Sequence, residues 1–380
     1  MLAMLAAIAL AVLLMSTLTG CAKEENLAEL SPDIQAIADN YGPAEVLAQA
    51  KQQVEQAPTA EAYERLAQAY TLTRDVEEMI KALEKALELD PNYPRAVISM
   101  AIVRMRQAKP AEAQKLAERL LDDKLRGPRE AQLIRARTLL VQDQPQQAYE
   151  ALTTAVKQHP DYAALYYALG DSALSLTKLE EAEAAYRTAI ELVPAERRYR
   201  QALIIALIRS KKLEEAVKAA KEAQEVSPDH PMVQFVAGSV YSQVGNIEAA
   251  IAAYEEALVL WPKMAPAANN LALTLADRGE QLSRATDLAT QALRENPENH
   301  AYADTLAWTW VRSGDYAKGI KLLDAVHKHW PDNPAVKYHL GYALAKSGNT
   351  QRAKILLKEA AAAEDRPDVV ERAQAMLAEL

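Results

Sequence analysis

The sequence predicts an all-α fold in which short helical hairpins are repeated along the chain. Two features of the composition favour helices over strands: the 380 residues include one Phe and eleven Gly, and half of them are hydrophobic. Strands need clusters of β-branched and aromatic residues, and their turns need Gly. A third observation, a proline that returns about every 34 residues, indicates that one helical unit is repeated.

The period is marked by prolines that are followed by turn-forming residues. These prolines are Pro58, Pro91, Pro160, Pro194, Pro228, Pro262, Pro297 and Pro331. Their spacing is 33 to 35 residues, apart from one gap of 69 residues that corresponds to two units. In the copy at 163–196, the small and large apolar positions are Tyr166, Leu169, Gly170, Ala182, Tyr186 and Ala189. We expect the small residues to lie where two helices cross most closely, and the larger ones to fill the space beside them.

This pattern resembles the tetratricopeptide repeat, which implies an all-α, right-handed superhelical solenoid of about nine helix-turn-helix repeats over residues 60–367. The predicted copies are 60–93, 94–128, 129–162, 163–196, 197–230, 231–264, 265–299, 300–333 and 334–367. Residues 44–59 resemble a degenerate half-repeat, and residues 368–380 predict a C-terminal capping helix. Its predicted inner residues are Val369, Ala373 and Met376, and its predicted outer residues are Glu371, Arg372 and Glu379.

The first residues predict a lipoprotein signal peptide over 1–20. This segment is almost entirely apolar and ends in Leu18-Thr19-Gly20-Cys21, which includes the single cysteine of the chain. A short apolar segment that ends in small residues is typical of secretion signals. Here it resembles the bacterial lipobox, which implies cleavage before Cys21 and acylation of its thiol by fatty acids such as palmitate. The alternative is a plain membrane anchor, since twenty apolar residues can span a bilayer.

Residues 21–43 would then form the lipidated cysteine and a tether. Cys21 is followed by Ala22 rather than Asp. By resemblance to proteobacterial lipoproteins, this implies sorting to the outer membrane, with the protein lipid-anchored and facing the periplasm. A signal usually starts with Lys or Arg, and residues 1–4 contain neither, so we expect the true start to lie upstream.

Charge and motifs predict no catalysis. The net charge is −9 with acids and bases interspersed, and the longest basic cluster is 196–200, so nucleic acid is not an expected partner. A single cysteine excludes an intramolecular disulfide framework. The common phosphate-binding, zinc-protease and serine-hydrolase motifs are absent from the sequence, so we expect no enzyme activity and no cofactor. Metal binding by His327, His329 and His339 is the weaker alternative to ordinary helix packing.

The resemblance also implies where a partner would bind. In this family, first helices line a concave groove, and the second, fifth, ninth, twelfth and thirteenth residues of each repeat usually point into it. The groove residues predicted in this way are Arg137, Tyr167, Asp171, Arg198, Ile205, Arg209, Phe235, Asn269, Trp308, Arg312, Tyr338 and Tyr342. Large aromatic residues and arginines are typical of interface anchors. Packing between repeats is the alternative role, and Trp308, Tyr338 and Tyr342 are the strongest candidates for partner contact.

The expected ligand is an extended or helical protein segment with apolar side chains. Repeats that clamp a C-terminal carboxylate need lysines as well as asparagines, and Asn269 and Asn270 have no matching lysines upstream. The predicted partners are therefore other envelope proteins or peptides in the groove, and the membrane at Cys21.

A narrower resemblance covers roughly residues 265–360. The phrases Asn269-Asn270-Leu271-Ala272, Asp304-Thr305-Leu306-Ala307-Trp308 and Tyr338-His339-Leu340-Gly341-Tyr342 resemble the closing repeats of PEP-CTERM system tetratricopeptide lipoproteins. Those proteins accompany exopolysaccharide production and protein sorting in Gram-negative bacteria. The resemblance implies a non-catalytic scaffold for exopolysaccharide export or protein sorting. Two alternatives stay open: a pilotin-like lipoprotein for type IV pilus or secretin assembly, and an enzyme-associated envelope chaperone.

Overall fold

The computed structural model describes residue 34 and residues 43–73, 75–121, 129–364 and 366–380. Regular structure in this part of the chain is helical, in twenty α-helices, and no strand occurs in it. The predicted signal peptide and Cys21 lie outside the described residues. The predicted all-α fold of about nine helical hairpins is confirmed.

The chain forms two compact units that divide between Ala206 and Leu207. The helices that begin in the first unit are α1 (Pro43–Gln56), α2 (Ala60–Thr73), α3 (Val76–Leu89), α4 (Pro94–Arg106), α5 (Pro110–Glu118), α6 (Arg129–Val141), α7 (Pro145–Gln158), α8 (Ala163–Ser175), α9 (Leu179–Leu192) and α10 (Arg197–Arg209). Within this unit, α2 packs on α3, α4 on α5, α6 on α7 and α8 on α9. Each of these hairpins coincides with one predicted copy of the repeat.

The second unit contains the last residues of α10 and ten further helices. These are α11 (Leu213–Val226), α12 (Pro231–Gln243), α13 (Ile247–Leu260), α14 (Ala265–Arg278), α15 (Leu282–Glu295), α16 (His300–Arg312), α17 (Tyr316–His329), α18 (Pro334–Lys346), α19 (Thr350–Ala361) and α20 (Pro367–Ala378). The helices α12 to α19 pack as four successive hairpins, and α20 packs on α18 and α19. In the described part of the chain, no helix is both long and apolar enough to cross a membrane.

In the eight repeats from 94 to 367, the turn inside the hairpin uses a left-handed residue at the same place. The residues with positive φ at this place are Ala108, Asp143, Thr177, Lys211, Gly245, Gly279, Gly314 and Gly348. The next backbone N–H then returns to a carbonyl in the last turn of the first helix, as in the 2.9 Å bond from Lys178 to Ala173. The repeat at 265–299, which has one residue more, places a second left-handed residue at Gln281 (φ 45°).

In two of the hairpins, a glycine of the first helix meets a tyrosine of the second helix at the crossing. A Cβ atom added to Gly170 would lie 2.4 Å from the ring of Tyr186, and one added to Gly238 would lie 2.7 Å from the ring of Tyr254. Both tyrosines are fully buried. The glycines therefore fix how closely the two helices approach, because the ring occupies the volume that a side chain would need.

We predict that Gly170→Ala destabilises the hairpin of α8 and α9. Overpacking against Tyr186 costs about 1–3 kcal/mol, and the higher helix propensity of Ala offsets about 1 kcal/mol of that. Urea denaturation, with hydrogen exchange of the α8 and α9 amides, would measure the loss. Ser175→Ala, at an exposed position of the same helix, is the matched control. A Gly170→Ala protein as stable as this control would show that the ring moves aside without cost.

Candidate partner-binding surfaces

The predicted groove residues divide into two groups by exposure. Buried in the chain are Tyr167, Ile205, Phe235, Asn269, Trp308 and Tyr338. Partly exposed are Arg137, Asp171, Arg198, Arg209, Arg312 and Tyr342. The buried group packs within the chain, which is the alternative that the sequence left open. Contact of any of these residues with a partner stays a prediction.

Phe235 and Asn269 lie inside the second unit beside Tyr254. The rings of Phe235 and Tyr254 are 6.1 Å apart. The amide of Asn269 donates to Asn270 Oδ1 at 3.3 Å, and the amide of Asn270 donates to the Tyr254 hydroxyl at 3.4 Å. Burial raises the pKa of Tyr254 to about 12, so its hydroxyl stays neutral. These side chains hold α12, α13 and α14 together and offer almost no surface to a partner.

In the first unit, charged and aromatic side chains gather on the first helices α6, α8 and α10. We call this group the first-unit surface; it consists of Arg137, Tyr167, Asp171 and Arg198. The Tyr167 ring lies 5.9 Å from Tyr186 and 5.1 Å from Tyr199. The Tyr186 hydroxyl donates to Asp171 Oδ1 at 2.8 Å. The Tyr186 side chain of the second helix α9 thus packs on α8 and holds the Asp171 carboxyl in place.

The Asp171 carboxyl is electrostatically unusual. Burial raises its pKa from 3.8 to about 7, because a charged carboxylate loses solvation there. The hydrogen bond from Tyr186 and the positive charges of Arg137 and Arg198 lower the pKa of Asp171, but by less than burial raises it. Near neutral pH, this group therefore exists in both protonation states, and the charge of the first-unit surface depends on pH.

Arg198 is oriented by a neighbour in the turn before α10. Its Nε and Nη2 atoms donate to the two carboxylate oxygens of Glu196, each at 3.1 Å. Burial raises the pKa of Glu196, but the hydrogen bonds and charge of Arg198 outweigh burial and hold the pKa below its usual value. The paired planar groups fix the guanidinium on the surface, and about 35% of the Arg198 side chain stays exposed.

In the second unit, Asp277 at the end of α14 accepts hydrogen bonds from three side chains. Its Oδ1 accepts from the Trp308 indole Nε1 at 2.9 Å and from Arg372 Nη1 at 3.1 Å. Its Oδ2 accepts from Arg372 Nη2 at 3.3 Å, and its backbone carbonyl accepts from Arg312 Nη1 at 2.9 Å. Only 6% of the Asp277 side chain is exposed. A carboxylate this buried requires such donors, because its charge is costly outside water.

Aromatic rings surround this carboxylate. The His339 ring stacks on Trp308 with centroids 4.3 Å apart, and its Nδ1 lies 3.0 Å from Asp304 Oδ1. The rings of Tyr338 and Tyr342 lie 5.8 and 5.2 Å from Trp308. Burial raises the pKa of Tyr338 to about 12. Beside Asp277, Tyr338 and His339 lies a cavity of about 20 Å³, which has room for about one water.

The histidines considered for metal binding lie in different surroundings. His339 is buried against Trp308 and Asp304, whereas the His329 ring stacks on His300 with centroids 4.4 Å apart. In the described ranges, no three His, Cys, Asp or Glu side chains gather in a way that could hold a metal ion.

The capping helix α20 differs from its prediction at one important residue. Val369, Ala373 and Met376 are buried, as the sequence predicts. Arg372, predicted to face solvent, instead bonds Asp277. That prediction was wrong because the helical pattern places Arg372 beside Ala373 at the border of the apolar face, and the partner carboxylate is 95 residues away.

Asp277 was also missed, although a signal for it exists. It is the thirteenth residue of the repeat at 265–299, the same place that Arg312 has in the next repeat. The family rule therefore includes it.

A model of the tetratricopeptide repeat matches this chain in overlapping segments, 98–163, 133–197, 167–231, 201–265 and 235–300. Two further models of the same repeat match residues 60–93 and 311–380. These matches cover more than half of the chain. The chain belongs to the tetratricopeptide repeat family. The family accounts for the helical hairpins.

This tetratricopeptide repeat protein is similar to a TPR repeat-containing protein of Pseudomonas aeruginosa, at 27% identity over 236 residues. The match covers 61% of this chain and 34% of the relative, so the chain spans about a third of that protein's length. Among solved structures, the APC/C hetero-tetramer Cut9–Hcn1 is similar at 13% identity and a TM-score of 0.58, over 94% of this chain and 72% of that chain. A tetratricopeptide repeat protein from Parabacteroides merdae is similar at 17% identity and 0.52, over 66% and 98%. These structures show the fold.

We predict that Asp171 makes the first unit less stable as the pH rises from about 4 to about 7. Because the folded pKa of about 7 exceeds the usual 3.8, the protonated carboxyl favours the folded state. This contribution is complete below about pH 4 and is lost as the pH rises through about 7. Asp171→Asn should remove this slope, a difference of roughly 1–4 kcal/mol between the two pH values.

Urea denaturation of both proteins at pH 4, 5.5 and 7 would measure the difference. Asp161→Asn, at an exposed turn of the same unit, is the control and should keep the wild-type slope. Identical pH profiles for wild type and Asp171→Asn would contradict the raised pKa.

Proposed function

We propose that this tetratricopeptide repeat protein is a non-catalytic scaffold that is anchored by lipid in a bacterial envelope and binds a segment of another protein. The first-unit surface is the proposed contact. We assign the scaffold to exopolysaccharide export or protein sorting, on the resemblance of residues 265–360 to the lipoproteins of that system.

One observation carries the binding proposal. Three successive first helices present Arg137, Asp171 and Arg198, and all three side chains stay partly exposed after folding. Arg198 is fixed by Glu196, and Asp171 is fixed by Tyr186, so two of the three lose little further conformational freedom when a partner binds. Arginines held in this way are frequent anchors of protein interfaces. Tetratricopeptide repeat proteins generally act as such scaffolds.

The membrane part of the proposal is supported by sequence. Cys21 is the single thiol of the chain and follows a small residue at the end of an apolar segment. Several acyl chains on this residue would anchor the protein stably, since each buried methylene contributes about 0.8 kcal/mol. The repeats would then stand at the membrane surface, joined to it by the tether.

We predict that Arg137→Glu with Arg198→Glu abolishes partner binding. The double change reverses two charges on the first-unit surface without touching the hairpin core. Tagged full-length protein would be recovered from its native host after crosslinking, and the bound proteins would be quantified by mass spectrometry. We expect a partner enriched by wild type to fall about tenfold or more with the variant.

The control is Lys157→Glu with Arg187→Glu, which makes the same change of charge on the second helices α7 and α9, where both side chains are exposed. Recovery should be unchanged with this control. If both variants lost the partner equally, or if neither lost it, the partner would not bind at the first-unit surface.

We predict that Cys21→Ser leaves the helical content unchanged and moves the protein from the membrane fraction to the soluble fraction. The serine cannot carry the thioether-linked lipid that the proposal requires. Fractionation of host cells and circular dichroism of the purified proteins would give the two readings. A Cys21→Ser protein that stays with the membranes would rule out the lipid anchor, and the binding proposal would be unaffected.

A further inference from the structure

The C-terminal helix α20 packs on α18 and α19, and through Arg372 it also reaches Asp277 at the end of α14. We call the covered area the terminal surface; it consists of Leu273 and Asp277 of α14, Trp308 of α16, and Tyr338 and Tyr342 of α18. Residues Val369, Ala373 and Met376 of α20 belong to the same apolar cluster as Leu273, Trp308 and Tyr338. They are spaced like the anchors of an amphipathic helix in a groove.

The polar part of this contact is specific. Arg372 donates two of the three side-chain hydrogen bonds that the Asp277 carboxylate accepts. An occupant that covered this carboxylate without a cation would leave it the Trp308 indole as its side-chain donor. Such a charge is strongly unfavourable when unpaired. The terminal surface therefore selects a helix that has both apolar side chains and a positive charge. In α20, the charge of Arg372 comes three residues after the apolar residue Val369 and one residue before Ala373.

The attachment of α20 is small enough to be reversible. The helix has twelve residues, and helices of this length are marginally stable on their own. Three of its side chains are buried, and Leu377 and Leu380 pack partly against the same cluster. The ion pair from Lys346 to Glu379 at 3.0 Å is exposed and adds little. The segment that joins it to α19 spans only 362–366. Elements with few buried contacts open more readily than the rest of a fold.

We propose that the terminal surface is a binding site for an amphipathic helix of a partner protein that presents an arginine or lysine to Asp277, and that α20 is the intramolecular occupant that such a helix displaces. This site is additional to the first-unit surface, and it requires no property of that surface. Displacement would make binding competitive with α20, so a partner must have a better apolar face than Val369, Ala373 and Met376 provide.

The test uses the full-length chain with α20 detached. Val369→Asp with Arg372→Asp places two carboxylates against the apolar cluster and Asp277, so α20 should leave the terminal surface. The probe is a fluorescein-labelled synthetic peptide with the sequence of residues 364–380. We expect the peptide to bind this detached variant at least about tenfold more tightly than wild type, by fluorescence anisotropy. The same peptide with Arg372→Asp should not bind.

Two controls assign the site. Glu371→Ala with Gln374→Ala changes exposed residues of α20, and this variant should bind the peptide as weakly as wild type does. Adding Asp277→Asn to the detached variant should lower peptide affinity by about tenfold, because the facing charge is lost. Equal affinity with and without Asp277→Asn would overturn the role of the carboxylate.

Hydrogen exchange of wild type decides the proposal if the detached variant fails to fold. We expect the amides of α20 to exchange at least about tenfold faster than those of α19, which packs in a complete hairpin. Equal protection of α19 and α20 would show that α20 is a permanent part of the core, and would overturn the proposal. A wild-type dimer in light scattering that disappears with the detached variant would also overturn it, in favour of exchange of α20 between two copies.

Discussion

The structure depends on one steric constraint, the close crossing of the two helices in each hairpin. A large side chain of the second helix fills the volume that the missing side chain of a first-helix glycine leaves, as Tyr186 does at Gly170 and Tyr254 at Gly238. At Gly341, the second helix supplies Leu357 instead. In these three hairpins the glycine allows the two helices to approach closely, and the larger residue fills the space between them. Stacking of such hairpins buries apolar faces that a single one would leave in water.

This constraint concerns one side of the first helix and leaves the other side free to vary. In the first unit, the variable side holds Arg137, Asp171 and Arg198, which remain partly exposed. In the second unit, it holds Trp308 and Tyr338, which pack with α20. The same scaffold thus presents a polar surface in one unit and a covered aromatic surface in the other. The difference arises from a few side chains, because the backbone of the hairpins is the same in both.

Two carboxyl groups on these surfaces avoid the cost of burial in different ways. Asp171 has a raised pKa and accepts from the Tyr186 hydroxyl, so protonation relieves the cost near neutral pH. Asp277 instead receives a guanidinium and an indole N–H. A carboxyl group that bonds a guanidinium can select a cation on the surface that covers it, whereas one that protonates near neutral pH makes the surface sensitive to pH. The binding properties of the two units should therefore differ in kind.

The sequence by itself determined the fold class, the length of the repeat and the pairing of helices into hairpins. These follow from local pattern: the 34-residue period, the prolines after second helices, and small residues such as Gly170 and Ala182 at fixed positions. Even the extra residue near Gln281 appears as an irregular spacing. What only the tertiary structure decided is which groove residues remain accessible. Trp308 carries the pattern of an exposed anchor, but it is buried, stacks on His339 and donates to Asp277. Arg372 carries the pattern of a solvated residue, and it pairs with a carboxylate 95 residues away. Repeat periodicity encodes contacts between neighbouring helices, and it holds no information on a contact that a terminal helix makes across several repeats.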